Sequence, residues 1–329
     1  MNPLVSIIIP CYNAEDYVAE TITSCLRQTY QRIEIIVVND GSTDSSHDII
    51  MKFQDYIVFI DQTNKGGSAA RNTGLKRAQG TYIKFLDADD FLETSIIEKQ
   101  VDRFRKSGPA CKIAVYGDVK TVEENGNITG ILKQPLIQDS DAGLATLIDY
   151  AIITSSPLYR KEDLEKVNGF NETLKSGQEH ELNLKLFLSG VRFRYYSDLV
   201  FFHRNYVSPH RISSRKWPVS DPYFMWRLID HYERMIQNQR GKINGEINAA
   251  LASKLISAGR SLVRVGNIDL GDQHFERAIR ICPDKKFRIG NRVWITKYYL
   301  TARNVLGLNA TEKIYFTFVN GLNILRLKK

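Results

Sequence analysis

The sequence predicts an α/β fold for its first two-thirds and an α-helical domain after it. Over the first ninety residues, short apolar runs of strand length alternate with stretches whose apolar residues recur at helical spacing. Near-continuous apolar strands separated by amphipathic helices indicate a largely parallel sheet that is covered by helices on both faces. Residues 223–239 and 247–265 show helical periodicity alone. With 329 residues the chain is long enough for two domains, and we expect them at 1–215 and 216–329.

The predicted strands and helices follow one another closely. Four strands are expected at residues 5–9, 33–38, 56–60 and 81–86, and three helices at 14–28, 43–53 and 68–78. The first strand ends at Pro10, and Ser42 is expected to cap the second helix at its N-terminus. In the C-terminal part, residues 258–283 resemble one tetratricopeptide-like helix pair. Because no second copy follows at a fixed period, we expect an all-helical appendage and not a stacked array.

Polar clusters follow three of the predicted strands at the point where each strand ends. They are Pro10-Cys11-Tyr12-Asn13, Asn39-Asp40-Gly41-Ser42 and Asp87-Ala88-Asp89. In open α/β sheets, ligands bind beyond the carboxyl ends of the strands. We therefore expect these three clusters to converge on one rim of the sheet.

The third cluster is the most informative, because Asp90 extends it to three neighbouring carboxylates. Such carboxylates repel one another unless a cation lies between them. Hard divalent ions such as Mg²⁺ and Mn²⁺ take oxygen ligands and often keep phosphate oxygens as further ligands. The sequence therefore predicts a metal–diphosphate site after the fourth strand. The alternative is an acidic turn that caps the following helix.

Four ordered segments of the chain resemble glycosyltransferase family 2, the inverting nucleotide-sugar transferases of the GT-A fold. They are VSIIIPCYNAEDYVAETITSCLRQTY, IEIIVVNDGSTD, NKGGSAARNTGLKRAQGTYIKFLDADD and NGFNETLKSGQEHELNLKL. The resemblance covers roughly residues 1–213 and does not extend over the last third. It implies a GT-A fold, whose sheet is Rossmann-like, mixed and largely parallel. It also implies sugar transfer from a nucleotide-diphosphate sugar, in the first place a UDP-sugar, to a hydroxyl acceptor.

The resemblance assigns roles to individual residues. Asp89 would ligate Mn²⁺ or Mg²⁺, and Asp87 would face the ribose or a metal-bound water. The other implied nucleotide contacts are Pro10, Tyr12, Asn13, Asp40 and Arg71. The residues themselves leave alternatives open: a core aromatic for Tyr12, an Asx-turn for Asp40 and a solvated helix arginine for Arg71. Asp90 is expected to cap a helix or to support the metal ligands.

An inverting displacement needs a base that takes the proton of the acceptor hydroxyl. By resemblance the base lies in Gln178-Glu179-His180-Glu181, where the family usually carries two adjacent acids. Alignment of the helix that follows places Glu179 at the base, while Gln178 replaces an acid. Glu181 is the competing base or an acceptor-side contact. An acidic first helical turn without a catalytic role is the remaining alternative, because carboxylates favour helix N-termini.

Family members often carry a basic segment that closes over the diphosphate, sometimes with a histidine near the metal. Four residues of this chain fall in that region, namely His203, Arg204, His210 and Arg211. Either histidine could approach the metal or lie on the surface, and the arginines could make bidentate phosphate contacts. The chain has neither a dinucleotide-binding glycine fingerprint nor a P-loop, which argues against a dehydrogenase or an NTPase.

The C-terminal tail, residues 285–329, carries ten Lys or Arg residues against one acid, Glu312, and these alternate with aromatic residues. This pattern suits an anionic membrane surface, nucleic acid or a helical subdomain packed on the core. Lipid-linked acceptors in the resembling family favour the membrane over nucleic acid, which is not expected as a partner. Four cysteines without C-x-x-C spacing indicate neither zinc nor a disulfide framework.

The sequence shows no signal peptide and no apolar run of membrane-span length. We therefore expect a cytoplasmic protein, peripheral at the inner face of the cell membrane if the tail binds there, and an oligomer is compatible with the sequence. The expected function is metal-dependent inverting glycosyl transfer to a glycan or lipid-linked acceptor in surface-polysaccharide or lipid-linked glycan assembly. The alternative is a non-catalytic nucleotide-sugar-binding or scaffold protein that acts through its helical C-terminal domain. A nucleotidyltransferase would usually carry a glycine-rich, basic loop after the first strand.

Overall fold

The computed structural model describes residues 2–108, 111–123, 127–205 and 217–284, together with Gly307 and Thr311. The chain divides into two compact units. The first contains Met1–Gly143 and Tyr150–Ser214, and the second contains Leu144–Asp149 and Arg215–Lys329.

Eleven strands are found in the described part of the first unit. In chain order they are β1 (Val5–Cys11), β2 (Ile33–Asp40), β3 (Val58–Gln62), β4 (Tyr82–Phe85), β5 (Phe91–Leu92), β6 (Ile113–Tyr116), β7 (Val119–Val122), β8 (Ile128–Leu132), β9 (Leu158–Arg160), β10 (Arg192–Tyr195) and β11 (Phe201–Arg204). Seven of them form one sheet in the order β10-β6-β9-β4-β1-β2-β3. All neighbours in it pair in parallel except β9, which is antiparallel to β4 and β6. The prediction of a mixed, largely parallel sheet is confirmed.

A second, four-stranded sheet has the order β5-β11-β7-β8. Strand β5 follows the Asp87–Asp90 segment directly and pairs antiparallel with β11. Strand β11 pairs in parallel with β7. Sequence analysis did not predict this small sheet, because its strands are short and β11 lies far along the chain from its partners β5 and β7.

The helices of the first 188 residues are α1 (Val18–Leu26), α2 (Ser46–Met51), α3 (Gly67–Arg77), α4 (Ile96–Ser107), α5 (Asp141–Asp149), α6 (Lys161–Lys166) and α7 (Gln178–Leu188). The second helix begins three residues later than predicted, and the expectation that Ser42 caps it is wrong. The Ser42 hydroxyl accepts a hydrogen bond from the backbone N–H of Asn13 instead, and Ser45 is the residue before the helix.

The core of the first unit lies around β1 and β2, whose apolar side chains are almost entirely buried. Helix α3 packs on these two strands. A Cβ atom at Gly74 would lie 2.3 Å from Cγ2 of Ile8, so the glycine allows the backbone of α3 to approach β1. This close packing fixes α3, which carries Arg71, against the strands that end at the polar rim.

The described part of the second unit is helical, as predicted. Its helices are α8 (Trp217–Ser220), α9 (Phe224–Arg240), α10 (Gly245–Arg264) and α11 (Ile268–Ile281). Helices α10 and α11 pack closely through two glycines, since a Cβ atom at Gly259 would lie 2.8 Å from the carbonyl oxygen of Gly271. No helix in the described ranges is long and apolar enough to cross a membrane. Apart from Gly307 and Thr311, the predicted basic tail at 285–329 lies outside the described residues.

The glycine contact leads to a prediction about the helical unit. Gly259→Ala should lower the free energy of unfolding by about 1–3 kcal/mol, the usual cost of overpacking, because its methyl group would also lie 2.8 Å from the buried Phe275 ring. Gly245→Ala, at the start of the same helix, meets no atom within 4 Å and is the matched control. Urea unfolding checks both variants, and equal stability of the two would contradict the packing argument.

Candidate active site

The loops that follow β1 and β2 are joined by hydrogen bonds. The side-chain oxygen of Asn13 accepts a bond from the Thr43 backbone N–H (2.8 Å), and the Asn13 backbone N–H donates to Ser42 (3.1 Å). Asn13 has a positive φ of 48°, so its loop turns sharply at the strand end. Tyr12 beside it is 43% exposed, which rules out the core-aromatic alternative. Pro10 is the last residue but one of β1 and is partly exposed.

The carboxylate of Asp40, at the end of β2, is buried and organises the loop between β3 and α3. One oxygen accepts hydrogen bonds from the Lys65 backbone N–H (2.9 Å) and from Nε2 of Gln62 (2.7 Å). The other oxygen accepts one from the Gly66 backbone N–H (2.8 Å). Asp40 therefore holds this loop in place, whatever further contact it makes to a ligand.

The residues next to Asp40 allow the loop after β2 to lie close to the loop after β3. The turn predicted for Asp40 is made by Asn39, whose side-chain oxygen accepts the Ser42 backbone N–H (3.2 Å). Gly41 has a φ of +70°, and a Cβ atom there would lie 2.7 Å from the backbone nitrogen of Asn64. This position requires a positive φ and leaves no room for a Cβ atom. Glycine meets both requirements, because it has no Cβ atom and adopts positive φ without strain.

Asp87, Asp89 and Asp90 form a tight acidic turn after β4. One carboxylate oxygen from each lies within 4.8 Å of the others, and the Asp90 backbone N–H donates to the carbonyl oxygen of Asp87 (3.0 Å). Asp87 and Asp89 are partly exposed, whereas Asp90 is fully buried. A set of carboxylate oxygens at this spacing suits a hard divalent cation, which takes oxygen ligands. The chemistry of the turn therefore fits the Mn²⁺ or Mg²⁺ that the resemblance implies.

The carboxylate of Asp90 supports the turn and does not cap a helix, because the next helix, α4, begins after Ser95. One Asp90 oxygen accepts a hydrogen bond from the hydroxyl of Ser155 (2.9 Å). The other lies 2.9 Å from Nδ1 of His203 on β11. Since a carboxylate accepts, Nδ1 of His203 carries the proton in this contact.

Arg71 on α3 connects the acidic turn to α7. Its Nη2 donates to Oδ1 of Asp87 (2.6 Å), and its Nη1 lies 3.5 Å from Oε1 of Gln178. The guanidinium lies 5.3 Å from the centre of the Phe170 ring, and the residue is 8% exposed. The alternative of a solvated helix arginine is therefore wrong.

Helix α7 carries both candidate bases, in different environments. Glu179 is partly exposed and makes no hydrogen bond or ion pair to any residue in the described part of the chain. Burial, reinforced by the negative charge of Glu179, raises the pKa of Tyr159. Glu181 is 2% exposed, and its carboxylate lies 3.1 Å from Nζ of Lys185. Glu179 is thus the more exposed of the two carboxylates.

Arg204 on β11 is buried over the acidic turn. Its guanidinium pairs with Glu20, its Nε donates to the carbonyl oxygen of Asp89 (3.4 Å), and it lies over the ring of Tyr17 (4.9 Å). These contacts position the backbone of the turn, while the phosphate contact expected of Arg204 stays a prediction. The other two residues of the predicted basic segment, His210 and Arg211, lie outside the described residues.

Sequence reasoning missed Ser155 and Lys84, both of which are fully buried. Ser155 belongs to no motif, and no sequence signal distinguishes it. Lys84 had a signal, since it is a lone charge within the apolar run before Asp87. Its Nζ donates to the carbonyl oxygen of Ser156 (2.7 Å) and to Oε1 of Gln100 (3.3 Å). Burial lowers the pKa of Lys84 to about 7, and the negative charge of Asp90 opposes this effect.

Two solved structures share this architecture. TarS residues 1–349 from S. aureus, solved with UDP-GlcNAc, match 95% of this chain and 92% of their own with a TM-score of 0.68 at 21% identity. The mannosyltransferase PcManGT from Pyrobaculum calidifontis, solved with GDP-Man and Mn²⁺, matches 96% of this chain and 84% of its own (TM-score 0.51, 17% identity). At these identities the likeness establishes the fold, which is GT-A.

The sequence comparison identifies the family. Residues 6–167 match the family model of Glycosyl transferase family 2, and this part of the chain belongs to that family. An uncharacterized glycosyltransferase of Haemophilus influenzae is 52% identical over 104 residues, which cover 30% of this chain and 42% of the relative. The matched residues make up 56–65% of this chain and span only 27–32% of the length of three further curated relatives.

The buried lysine beneath the acidic turn leads to a pH prediction. In the unfolded chain a lysine has a pKa of about 10.4, against about 7 for Lys84 in the folded protein. Between these values the unfolded state binds a proton that the folded state does not, so stability should rise with pH through this window. In Lys84→Met the increase of the urea midpoint from pH 7 to pH 9 should be smaller than in the wild type. Lys106→Met, at an exposed position, is the control, and equal increases in all three proteins would refute the assignment.

Proposed function

We propose that the protein is a metal-dependent inverting glycosyltransferase whose residues 1–215 form the nucleotide-sugar transferase domain. The observation that carries the proposal is the position of Arg71. It contacts Asp87 in the acidic turn and Gln178, the residue before Glu179. One side chain thus joins the proposed metal and donor side of the site to the first turn of α7, which carries the proposed base.

The proposed donor is a nucleotide-diphosphate sugar, in the first place a UDP-sugar. Family membership supports this proposal, as do the UDP-GlcNAc in the TarS structure and the GDP-Man in the PcManGT structure. The nucleotide would lie along the joined loops after β1 and β2. The side chains proposed to contact it are Pro10, Tyr12, Asn13, Asp40, Arg71 and Asp87.

The proposed cofactor is Mn²⁺ or Mg²⁺, held by Asp89 with Asp87 beside it. Bound there, the ion would neutralise charge that develops on the departing diphosphate. The Mn²⁺ in the PcManGT structure and the oxygen-only acidic turn of this chain support this proposal. Arg71 would hold Asp87 in place. His203 and Arg204 would approach the diphosphate side, with Asp90 orienting the His203 ring.

Glu179 is proposed to take the proton of the acceptor hydroxyl as that oxygen attacks the anomeric carbon. Its partial exposure and lack of a partner in the described ranges support this role. Glu181 is the weaker candidate, because the Lys185 ion pair neutralises its charge. The proposed acceptor is a glycan or a lipid-linked glycan of a surface-polysaccharide pathway. Contact of the 285–329 tail with an anionic membrane from the cytoplasmic side stays a prediction.

The direct test of this function is a donor screen. The full chain is incubated with UDP-, GDP- and dTDP-sugars in Mn²⁺, Mg²⁺ or EDTA, and release of the nucleoside diphosphate is measured. We expect release from at least one donor, mainly a UDP-sugar, and only with a divalent ion. No release from any donor would favour the non-catalytic binding protein, and full activity in EDTA would refute the metal assignment.

Asp89→Asn tests the metal ligand. The change keeps the size of the side chain but removes its charge, so metal-stimulated donor turnover should fall by about 10²-fold or more, since metal charge stabilisation is worth several kcal/mol. The thermal midpoint should stay near that of the wild type. Asp55→Asn, at an exposed position outside the site, should keep full turnover. Wild-type activity in Asp89→Asn would rule out this ligand.

Glu179→Gln tests the base. The glutamine keeps the shape of the side chain but cannot accept the proton, so transfer should fall by about 10²-fold or more while donor affinity stays nearly unchanged. Glu181→Gln is the matched variant two residues further along the helix. If transfer is lost in Glu181→Gln and kept in Glu179→Gln, Glu181 is the base. Calorimetric titration with donor separates binding from the chemical step.

A further inference from the structure

Ser155 joins both ends of the acidic turn through one hydroxyl group. Its oxygen accepts the backbone N–H of Asp87 (3.1 Å), and the hydroxyl donates to Oδ2 of Asp90 (2.9 Å). Ser155 is fully buried, so water does not replace either bond. The first and last residues of the turn are thus held at a set separation by a side chain from a segment more than sixty residues away.

The backbone around Ser155 is itself fixed from several directions. The hydroxyl of the next residue, Ser156, donates to the carbonyl oxygen of Gly117 (2.8 Å) and accepts its N–H (3.1 Å). The Ser156 carbonyl oxygen accepts bonds from Lys84 (2.7 Å) and from Nε2 of Gln100 (2.9 Å). Upstream, the Ile153 backbone N–H donates to a buried glutamine side chain (3.1 Å). Ser155 therefore presents its hydroxyl from a rigid support.

We propose that Ser155 is a positioning residue for the divalent cation. Its hydroxyl sets the geometry of the Asp87–Asp90 turn. This inference rests on the metal dependence proposed above. Ser155 itself is not a ligand, because both of its hydrogen-bonding contacts are to the turn. Without the hydroxyl, the Asp87 N–H loses its partner and Asp90 loses one of the donors that hold its carboxylate. The backbone that carries Asp89, between them, keeps the Arg204 contact but loses the two Ser155 bonds that set the geometry of the turn.

Ser156 offers a matched control. It is the neighbouring residue, it is also buried, and its hydroxyl also makes two hydrogen bonds, but to Gly117 and not to the acidic turn. Ser155→Ala and Ser156→Ala therefore remove the same atom at the same depth. If both serines had only a structural role, both variants would lose stability and neither would differ in metal affinity. If Ser155 positions the metal ligands, only Ser155→Ala should bind the metal more weakly.

The experiment measures Mn²⁺ binding to the full chain by calorimetry, with Mn²⁺ alone and with Mn²⁺ in the presence of UDP. Removal of groups that orient metal ligands usually lowers metal affinity by about 10- to 100-fold, and we expect that loss for Ser155→Ala. Ser156→Ala should bind Mn²⁺ within about threefold of the wild type. Thermal unfolding of both variants is recorded beside the titrations. If Ser155→Ala does not fold, Ser155→Cys keeps the side-chain size, weakens both hydrogen bonds and should show a loss in the same direction.

Each result has a defined meaning. Weaker Mn²⁺ binding in the Ser155 variant alone supports the proposal. Wild-type affinity in that variant overturns it and leaves the proposed function intact. Equal losses in both variants overturn it as well, because the effect would then belong to the whole segment. Absence of Mn²⁺ binding by the wild-type protein, with and without UDP, would overturn the proposed metal dependence and this inference together.

Discussion

Mutual repulsion among the three carboxylates after β4 is the constraint on which the rest of the site depends. At a separation of 4 Å, two unit charges repel by about 4 kcal/mol at an effective dielectric constant of about 20. Hydrogen-bond donors from different parts of the chain stabilise these carboxylates. Arg71 donates to Asp87, and Ser155 and His203 donate to Asp90. A cation bound at Asp89, which lies between these two residues, would neutralise the remaining negative charge of the turn.

The small sheet extends this support to the outer side of the turn. Strand β5 follows the turn directly, and its pairing with β11 places His203 and Arg204 beside the last acids. The rings of Phe91 on β5 and Phe202 on β11 stack at 4.6 Å. This stacking fixes the two strands side by side. The pairing of β5 with β11 thus restricts movement of the turn.

The opposite side of the rim is organised before any ligand arrives. The loop after β1 is bonded to the loop after β2 through Asn13, and the loop after β3 is held by Asp40. Because these groups already occupy their positions, binding of a nucleotide would cost little reorganisation. Preorganised polar groups of this kind are the usual source of electrostatic stabilisation in enzyme sites. The acidic turn is held in a similar way, because Arg71 connects it to helix α7 through Asp87 and Gln178.

The sequence by itself determined the largely parallel sheet, the helical second unit and the order of the polar clusters, because apolar periodicity and motif spacing are local properties. It also singled out Asp89 and Glu179. Only the tertiary structure decided that Ser155 and His203 hold Asp90, since they lie 65 and 113 residues away from it along the chain. It likewise decided that Glu181 is buried and that the guanidinium of Arg204 lies against Glu20 and Tyr17. Such contacts depend on which strands become neighbours, and strand order follows from the packing of the whole unit rather than from any short stretch of sequence.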